Sequence, residues 1–271
     1  MAETIRIPLL EHEPLETPVF TAANLLEAAR IQKGLPKVAV PAGCLLDFDG
    51  ELVQHLADTG RASEDPAWPC FHTRLFRWRE GGAEYGVIGG TVGAPFAVLV
   101  AEELFALGCR ALVSISSAGL VADRFTPPFF LLIERALRDE GTSCHYLPPG
   151  RHADADPSLI AEVRRRTDGL SVPIHTGPSW TTDAPFRETE SLIASRRMEG
   201  VVSVEMEAAA LLTLGKALNK PVVCLAHVTN TMATRKEDFE KGGDAGLLES
   251  LAVCAAALEA AVAYAAERLL P

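Results

Sequence analysis

The feature that most constrains the fold is a strand–turn–helix–strand pattern in the middle of the chain. Residues 84–89 form a short apolar run that predicts a strand, and a glycine-rich turn over 89–95 follows it. Residues 96–107 then carry the apolar periodicity of a helix, with Gly108 as its C-terminal cap. Residues 111–115 predict a second buried strand. Two strands joined through a helix in this way are expected to run parallel, with a right-handed crossover.

The same alternation returns later in the chain. Residues 200–204 predict a strand, 205–218 an Ala- and Leu-rich helix, and 221–228 the next strand, which together suggest a second parallel unit. Residues 245–270 form a long helix that is apolar on several faces and must pack on a sheet. Strands that alternate with helices predict an α/β fold of three layers, α/β/α, around a mixed, largely parallel sheet.

The first third of the chain is less regular. Residues 35–41 predict a first strand, 51–58 a helix, and 71–82 a pair of strands that turn at Gly81-Gly82. Residues 1–36 contain four prolines and many acids, which favours a surface extension. One helix is predicted in that extension, over 22–32 with Thr21 as its N-cap. Since no repeat or low-complexity linker follows, the sequence predicts one domain over 37–271.

Composition excludes several classes of protein. The chain has 271 residues, of which 48% are hydrophobic and 23% charged, as is usual for a globular protein. Its net charge of −11 disfavours nucleic acid and anionic membranes as partners. The six cysteines form no CxxC pair, so we expect reduced thiols and no metal site. No signal peptide and no apolar run of about 18 residues is evident, which predicts a cytoplasmic protein.

Small and polar residues follow two of the predicted strands. The glycine-rich turn over 89–95 allows close approach of a ligand to backbone N–H groups, although its spacing matches no known phosphate-binding fingerprint and also suits a tight turn. Residues 114–119 read Ser-Ile-Ser-Ser-Ala-Gly. Hydroxyl groups at the carboxyl end of a parallel strand often bind ligands in open α/β sheets, and a close-packed loop is the alternative.

Two acids stand where a later strand meets its helix. Glu205 and Glu207 flank Met206, and Glu207 leads directly into alanines and leucines, so its carboxylate is poorly placed for solvent. A carboxylate accepts two hydrogen bonds at once, which suits the paired hydroxyl groups of a ribose. Capping of the helix is the alternative.

Two further segments are candidates. His227 is predicted to be a buried, hydrogen-bonded histidine more often than a catalytic one, and Asn230 can either contact the edge of a nucleobase or occupy a turn. Residues 180–188 are polar, aromatic and proline-bearing, which suits a loop that covers a pocket or an ordinary surface loop.

Together these segments resemble the nucleoside phosphorylase family, in the hexameric branch that includes uridine phosphorylase and bacterial purine nucleoside phosphorylase. The resemblance runs from about Val38 to the last helix. Residues 204–208 read VEMEA, similar to the family's VEMEAA signature, and residues 89–104 are similar to its GxGxPSxxIxxxEL stretch. Residues 139–146 resemble a DGxSxHF segment, and residues 182–187 fall where uridine-type members carry a base-recognition loop.

The resemblance implies roles for individual residues. Glu207 would bind the ribose hydroxyls, with Met206 under the sugar. Phe186 would lie near the base, and Arg187 would contact a pyrimidine oxygen. Asn230 replaces the aspartate that protonates the base in purine-specific relatives, and uridine-type relatives often carry an asparagine there, which favours a pyrimidine-like or an unusual base. The other predicted substrate-binding residues are Glu205, Thr182, Asp183, Val92, Gly93, Ser116, Ser117, Ala118 and His145.

The phosphate-binding signals of the family are only partly present. Phosphorolytic relatives carry a GDPxR loop near the first strand and an arginine in an RxG[ST] loop. We place residues 41–45 at the first position and Ser114 at the second, so both arginines are missing. Hydrolytic relatives also lack the second arginine. The predicted phosphate-binding residues are Gly43, Ser114, Ser117 and Arg74, and either Arg74 or Arg77 would act in a neighbouring subunit's site.

The resemblance therefore implies a pentosyltransferase that cleaves a nucleoside with inorganic phosphate as co-substrate, without a cofactor or metal. A nucleosidase that uses water, or a non-catalytic nucleoside-binding protein, are the alternatives. Because the family completes its sites with residues of a neighbour, the resemblance also implies a homo-oligomer, either a dimer or a hexamer.

Overall fold

The computed structural model describes residues 7–14, 16–231 and 246–268. Within these residues the strands are β1 Gly43–Asp47, β2 Ala62–Glu64, β3 Phe76–Glu80, β4 Ala83–Gly89, β5 Ala111–Leu120, β6 Phe129–Asp139, β7 His152–Asp154, β8 Ile174–Thr182, β9 Ser203–Glu205 and β10 Val222–Asn230. The α-helices are α1 Ala22–Lys33, α2 Glu51–Asp58, α3 Ala94–Ala106, α4 Pro157–Thr167, α5 Glu190–Met198, α6 Ala208–Leu218 and α7 Leu247–Glu267.

The strands form one mixed sheet that partly closes on itself. Its order is β10-β6-β8-β9-β5-β1-β4-β3-β2, with β7 beside β6, and β10 also pairs with β5. This extra pairing closes β5, β10, β6, β8 and β9 into a ring, from which β1, β4, β3 and β2 extend. Parallel pairings join β4, β1, β5 and β10, and separately β6, β8 and β9, while antiparallel pairings connect the two sets.

The helices pack in two groups around this sheet, which confirms the predicted α/β class. Helix α7 packs on β1 and β5 and contacts α2 and α4. Helix α6 packs on β6 and β10 and contacts α3, which in turn contacts α1. The sheet is thus the middle layer, and its strands and the helices packed on them supply the core in similar shares.

The first predicted unit is confirmed and the second is corrected. Strands β4 and β5 run parallel, on either side of β1. Strands β9 and β10 do not run parallel, because β9 pairs antiparallel with β5 whereas β10 pairs parallel with it. Strand β9 is only three residues long, so the predicted strand over 200–204 is shifted to Ser203–Glu205.

Several other elements begin or end at residues that differ from the predicted ones. Residues 35–41 are not a strand, because Pro36 and Pro41 lack the N–H that a ladder needs. The first strand is β1, which begins at Gly43. Residues 116–119, predicted as a loop, belong to β5, which continues to Leu120. The helix predicted over 51–58 and the turn at Gly81-Gly82, where both residues have positive φ, are confirmed.

Helix α7 is a core element despite its composition. It is the one helix in the described ranges that is long and apolar enough to cross a membrane. However, Leu251, Cys254, Ala257 and Leu258 on this helix are almost fully buried. Its packing on β1, β5 and α4 accounts for its apolar faces.

The N-terminal segment is attached through α1. The Thr21 hydroxyl oxygen accepts a hydrogen bond from Asn24 N at 3.2 Å, which confirms Thr21 as the N-cap. Buried Arg30 donates to Val38 O at 3.1 Å, and Lys33 Nζ donates to Pro69 O at 2.8 Å. These bonds hold α1 against the body of the protein.

Candidate functional site

Polar residues from several elements meet at the carboxyl end of β5. Gly119 on β5 lies opposite Asn230 on β10 and opposite Val204 on β9. Two residues earlier, Ser117 lies opposite His227 on β10. Because β1 runs parallel to β5, the loop that follows β1 opens at this same end of the sheet. The register therefore places Asn230, Ser117 and the segment after β9 around one site.

Glu207 lies buried at this site. Its side chain is only 2% exposed. Its Oε1 accepts a hydrogen bond from Gly93 N at 2.6 Å, and its Oε2 accepts one from Met206 N at 3.2 Å. Gly93 has a φ of 93°, a conformation that a side chain would strain, so glycine is needed for this N–H to face the carboxylate. Each carboxylate oxygen retains lone-pair capacity for a ligand hydroxyl.

The surroundings of Glu207 favour its neutral form in the empty site. Burial, together with the negative charge of Glu205, raises the pKa of Glu207 to about 8. The N–H groups of Gly93 and Met206 act in the opposite direction but do not compensate. Hydroxyl donors from a bound ligand would act in the same direction as these N–H groups and favour the ionised form, since hydrogen bonds to a carboxylate stabilise its charge.

Glu205 is saturated with hydrogen bonds from the protein itself. Its Oε1 accepts from Ser179 Oγ at 3.1 Å and from Thr181 Oγ1 at 2.6 Å. Its Oε2 accepts from the backbone N–H groups of Glu207 and Ala208 at 2.7 and 2.6 Å. Burial raises the pKa of Glu205, and these four donors oppose that rise. Glu205 thus caps the start of α6 and fixes the position of Glu207, which explains why α6 begins at Ala208 instead of the predicted residue 205.

A second cluster of polar residues, which includes Asp47 and Asp49, lies beside Ser117. The Ser117 hydroxyl donates to the carboxylate of Asp49 in the loop after β1. Asp47 is buried, its Oδ2 accepts from Val53 N at 3.0 Å, and burial raises the pKa of Asp47 to about 6. A small cavity lies among these residues. It is lined by Asp47, Asp49, Glu51, Ser116, Ser117, His227 and Ser250, among others.

The structure brings together part of the predicted substrate site. Glu205, Met206, Glu207 and Gly93 are in contact, and Val92, adjacent to Gly93, is 52% exposed. The other predicted residues at the carboxyl end of β5 and β10 are Ser116, Ser117, Ala118 and Asn230.

Three predicted phosphate-binding residues lie elsewhere in this chain. Gly43 is at the amino end of β1, where an added Cβ would lie 2.6 Å from Val262 Cγ2 of α7. Ser114 lies three residues before Ser117 in the middle of β5 and is 2% exposed. Arg74 precedes β3, beyond β4 at the outer part of the sheet, and pairs with Glu64 at 3.3 Å. Only Ser117 of the predicted phosphate-binding set lies at the site.

Hydrogen bonds hold the first two residues of the predicted base-recognition loop, whereas its last two residues are exposed. Thr182 is buried, and its Oγ1 accepts from Ala184 N at 3.2 Å. Asp183 Oδ2 accepts from Gly141 N at 2.9 Å. Phe186 is 99% exposed, and Arg187 is exposed and without an ion pair to any residue within the described ranges.

His145 lies next to this loop, close to the N-terminal segment. Its ring stacks on His12 with 4.6 Å between centroids. His12 Nε2 also lies 3.2 Å from Cys144 O, within hydrogen-bond distance. The N-terminal segment thus packs against the 3-10 turn Thr142–His145, which follows β6.

Sequence reasoning missed several residues of the site. Asp47 and Asp49 directly follow the buried run of β1, and that position was the available signal for them. Thr91 is fully buried beside Gly93, and its hydroxyl has no hydrogen-bond partner among the residues described. Ser179 and Thr181 hold Glu205 through their hydroxyl groups, and Thr181 Oγ1 also accepts from Ala209 N at 2.9 Å; neither residue left a signal in the sequence. No group of three His, Cys, Asp or Glu residues in the described ranges could hold a metal ion.

Comparison with known proteins identifies the relatives of this fold. A uridine phosphorylase from Thermococcus kodakarensis is 27% identical over 227 residues, which cover 77% of this chain and 80% of that protein. A guanosine phosphorylase from Halorubrum lacusprofundi is 23% identical over 145 residues, or 53% of this chain and 60% of that protein. The sequence is thus similar to enzymes named for different nucleosides.

Solved structures show the same fold. Uridine phosphorylase from Vibrio fischeri superimposes with a TM-score of 0.70 at 22% identity, covering 83% of this chain and 94% of that one. Purine nucleoside phosphorylase from Toxoplasma gondii in complex with immucillin-H gives a TM-score of 0.73 at 18% identity, covering 86% and 95%. The model of the phosphorylase superfamily matches residues 42–269, most of the chain. The chain therefore belongs to the phosphorylase superfamily.

Proposed function

We propose that the protein is a nucleoside phosphorylase, which cleaves the N-glycosidic bond of a nucleoside with inorganic phosphate. The observation that carries the proposal is the placement of Glu207. Its carboxylate is buried at the carboxyl end of β5, accepts one backbone N–H on each oxygen, and keeps capacity on both oxygens. Such a group matches the vicinal hydroxyls of a ribose.

The proposed reaction separates charge across the C–N bond. Positive charge develops on the sugar and negative charge on the departing base, and preorganised groups stabilise both. Glu207 orients the sugar and favours the cationic centre, while Met206 packs beneath it. Phosphate attacks the opposite face of the sugar, and positioning of the two reactants supplies much of the rate.

We propose a pyrimidine-type base. Asn230 ends β10 beside the Glu207 segment, and an amide donates and accepts hydrogen bonds but does not supply a proton as a general acid. Arg187 is the proposed donor to a base oxygen. The relatives named for uridine support this choice. Other relatives are named for guanosine and for purine nucleosides, so the identity of the base is proposed separately from the reaction.

We also propose a homo-oligomer, in which a neighbour completes the site. Phe186 and Arg74 are both exposed in the single chain, as expected for residues that act at a subunit boundary.

Hydrolysis is the second candidate, and one observation favours it. The cavity beside Ser117 is lined by the carboxylates of Asp47 and Asp49, and Ser117 donates its hydroxyl to Asp49. Carboxylates repel a phosphate dianion but tolerate a water molecule. The two candidate functions therefore differ in the nucleophile, which is phosphate in a phosphorylase and water in a nucleosidase.

Phosphate dependence tests the choice directly. Uridine and a panel of purine nucleosides are incubated with the protein, with and without phosphate, and the sugar product is identified. The proposal expects base release to require phosphate and to yield pentose 1-phosphate. Equal rates without phosphate and free pentose as product would establish the nucleosidase. Nucleoside binding with no base release would instead indicate a non-catalytic binding protein.

The Asp49→Asn variant is expected to lower the KM for phosphate. The substitution removes a negative charge next to the Ser117 hydroxyl, so a dianion there meets less repulsion, and KM should fall about three- to tenfold. The measurement is initial rate against phosphate concentration at saturating nucleoside. Asp58→Asn, at the end of α2 and outside the cavity, is the matched control and should leave KM unchanged. A raised KM for phosphate in Asp49→Asn would contradict a phosphate site beside this residue.

A further inference from the structure

A second cavity lies away from the Glu207 site. It has a volume of about 1020 Å³ and is lined by α4, the C-terminal end of α6, the start of β10 and the end of α7. Helix α6 begins next to Glu207, lines this cavity from Leu212 to Lys216, and ends at Leu218 beside the cavity residue Asn219. Eleven helical residues span about 16 Å, so the two sites lie at opposite ends of the same helix.

The cavity combines an apolar floor with a cationic rim. Buried Leu159, Ile160, Leu212 and Val222 form part of the floor. The charged residues that line it are the basic Arg135, Arg164, Lys216, Lys220 and Arg268 and the acidic Glu134, Asp154 and Asp156. This excess of positive charge contrasts with the net charge of −11 of the whole chain. Opposite charge at a concave surface concentrates an anionic ligand there.

Not all of these cations are neutralised by the protein. Arg135 pairs with Asp154 at 2.5 Å, and Arg268 pairs with Asp156 at 3.1 Å. Arg164 and Lys216 are exposed and form no ion pair with any residue in the part of the chain that the structure describes. They stand on α4 and α6, two helices that both line the cavity. These two cations are therefore available to an anionic group.

One wall of the cavity is held in place by a hydrogen-bond network. The Tyr264 hydroxyl donates to Asp156 Oδ2 at 2.7 Å, and Arg268 donates to the same Asp156 oxygen at 3.1 Å and to the Tyr264 hydroxyl at 2.9 Å. Arg268 also donates to Asn219 Oδ1 at 2.9 Å. The network joins α4, α6 and α7, so the wall that carries the Tyr264 ring is fixed before any ligand binds.

We propose that this cavity binds a nucleoside monophosphate at a site separate from the Glu207 site. The phosphate group lies between Arg164 and Lys216, and the base and sugar cover the apolar floor beside Tyr264. Pockets for small organic ligands usually enclose about 300–1000 Å³, so the volume suits an organic anion. An inorganic phosphate ion alone would leave the apolar floor in contact with water.

Calorimetric titration of the full chain with UMP tests the proposal, with inorganic phosphate as the second probe. UMP is expected to saturate one site per chain and to bind at least about tenfold more tightly than phosphate, because the floor adds apolar contact. The Glu207→Gln variant should bind UMP as the wild type does. Loss of UMP binding in that variant would place the ligand at the Glu207 site and overturn the proposal.

Two neighbouring arginines of α4 provide the matched pair of variants. Arg164→Glu and Arg165→Glu change the net charge equally, but only Arg164 lines the cavity. Arg164→Glu should weaken UMP binding by about tenfold or more, because it places a repulsive charge beside the phosphate, whereas Arg165→Glu should change it less than about twofold. Equal weakening by both variants would indicate a general field effect, and no saturation of the wild type at millimolar UMP would remove the site altogether.

Discussion

The Glu207→Gln variant is expected to lose at least about 100-fold in kcat/KM for nucleoside cleavage, the scale found when one preorganised group at a reacting centre is removed. Glutamine has the same shape but only one acceptor oxygen. Its NH2 group would face the N–H of either Gly93 or Met206, and donor facing donor is unfavourable. The sugar hydroxyls would therefore lose both their partner and its negative charge.

Initial rates over a range of nucleoside concentrations measure this loss. Glu199→Gln is the matched control, because Glu199 is an exposed carboxylate that pairs with Arg151 and Arg196 at the surface. It makes the same change of charge and should leave kcat/KM unaltered. Near-normal activity of Glu207→Gln would remove Glu207 from the site and with it the main support for the proposed function.

The same substitution is expected to stabilise the empty protein at high pH. Burial raises the pKa of Glu207 from 4.5 to about 8, so the folded protein binds this proton more tightly than the unfolded chain does. The stability that this group contributes is therefore present at low pH and is lost as the pH rises towards 8. Since glutamine does not titrate, the free energy of unfolding of the variant relative to wild type should increase by about 2–4 kcal/mol between pH 5 and pH 9.

Comparing the two proteins at each pH cancels the titrating groups that do not interact with Glu207. Asp47 and Glu188, whose pKa values are raised by burial to about 6 and about 7, titrate in both proteins alike. Urea unfolding at the two pH values gives the difference. A constant difference would show that Glu207 is not destabilised by burial. Glu207→Gln is thus expected to lower activity and to raise stability at high pH. This combination is expected of a residue that binds substrate and destabilises the empty fold.

The burial of Glu207 and the exposure of the Gly93 N–H group to it follow from local sequence patterns, for a physical reason. Glu207 precedes a run of apolar helical residues, which is a poor position for a solvated carboxylate, and the structure buries it. The glycine at position 93 was identified from its turn, and its backbone N–H contacts Glu207 directly. In both cases the local pattern alone restricts where the side chain or the N–H group can point.

Features that depend on register could not be read from the sequence. Whether Ser114 or Ser117 reaches the end of β5 depends on where the strand stops, and β5 runs five residues further than its apolar run indicates. The first strand was placed over 35–41, so Gly43 was taken for a loop residue when it begins β1, and Asp49 in the loop that follows was missed. The antiparallel direction of β9 is set by its pairing with β5, which no local pattern contains.

The second large effect is expected at Glu205, where the loss is one of stability. Glu205→Ala should lower the free energy of unfolding by about 3–5 kcal/mol, because it removes the acceptor of four buried donors, of which the Ser179 hydroxyl retains Ser203 O at 3.2 Å as another acceptor. Two of them are the backbone N–H groups of Glu207 and Ala208 at the start of α6, and the other two are the hydroxyls of Ser179 and Thr181. Release of a buried carboxylate offsets part of this cost, so the sum stays below that of four separate losses.

Urea unfolding at neutral pH measures the loss, and Glu199→Ala, which removes an exposed carboxylate, is the control with an expected change below about 0.5 kcal/mol. Thr181→Val removes one of the four donors together with the Oγ1 atom that accepts from Ala209 N at 2.9 Å, so it should cost about 1–3 kcal/mol. A Glu205→Ala variant as stable as wild type would show that the hydrogen bonds merely balance the cost of burying the charge. In that event Glu205 would not be what holds the adjacent Glu207 in place, and the rigidity of the site would have to come from the contact of Glu207 with Gly93.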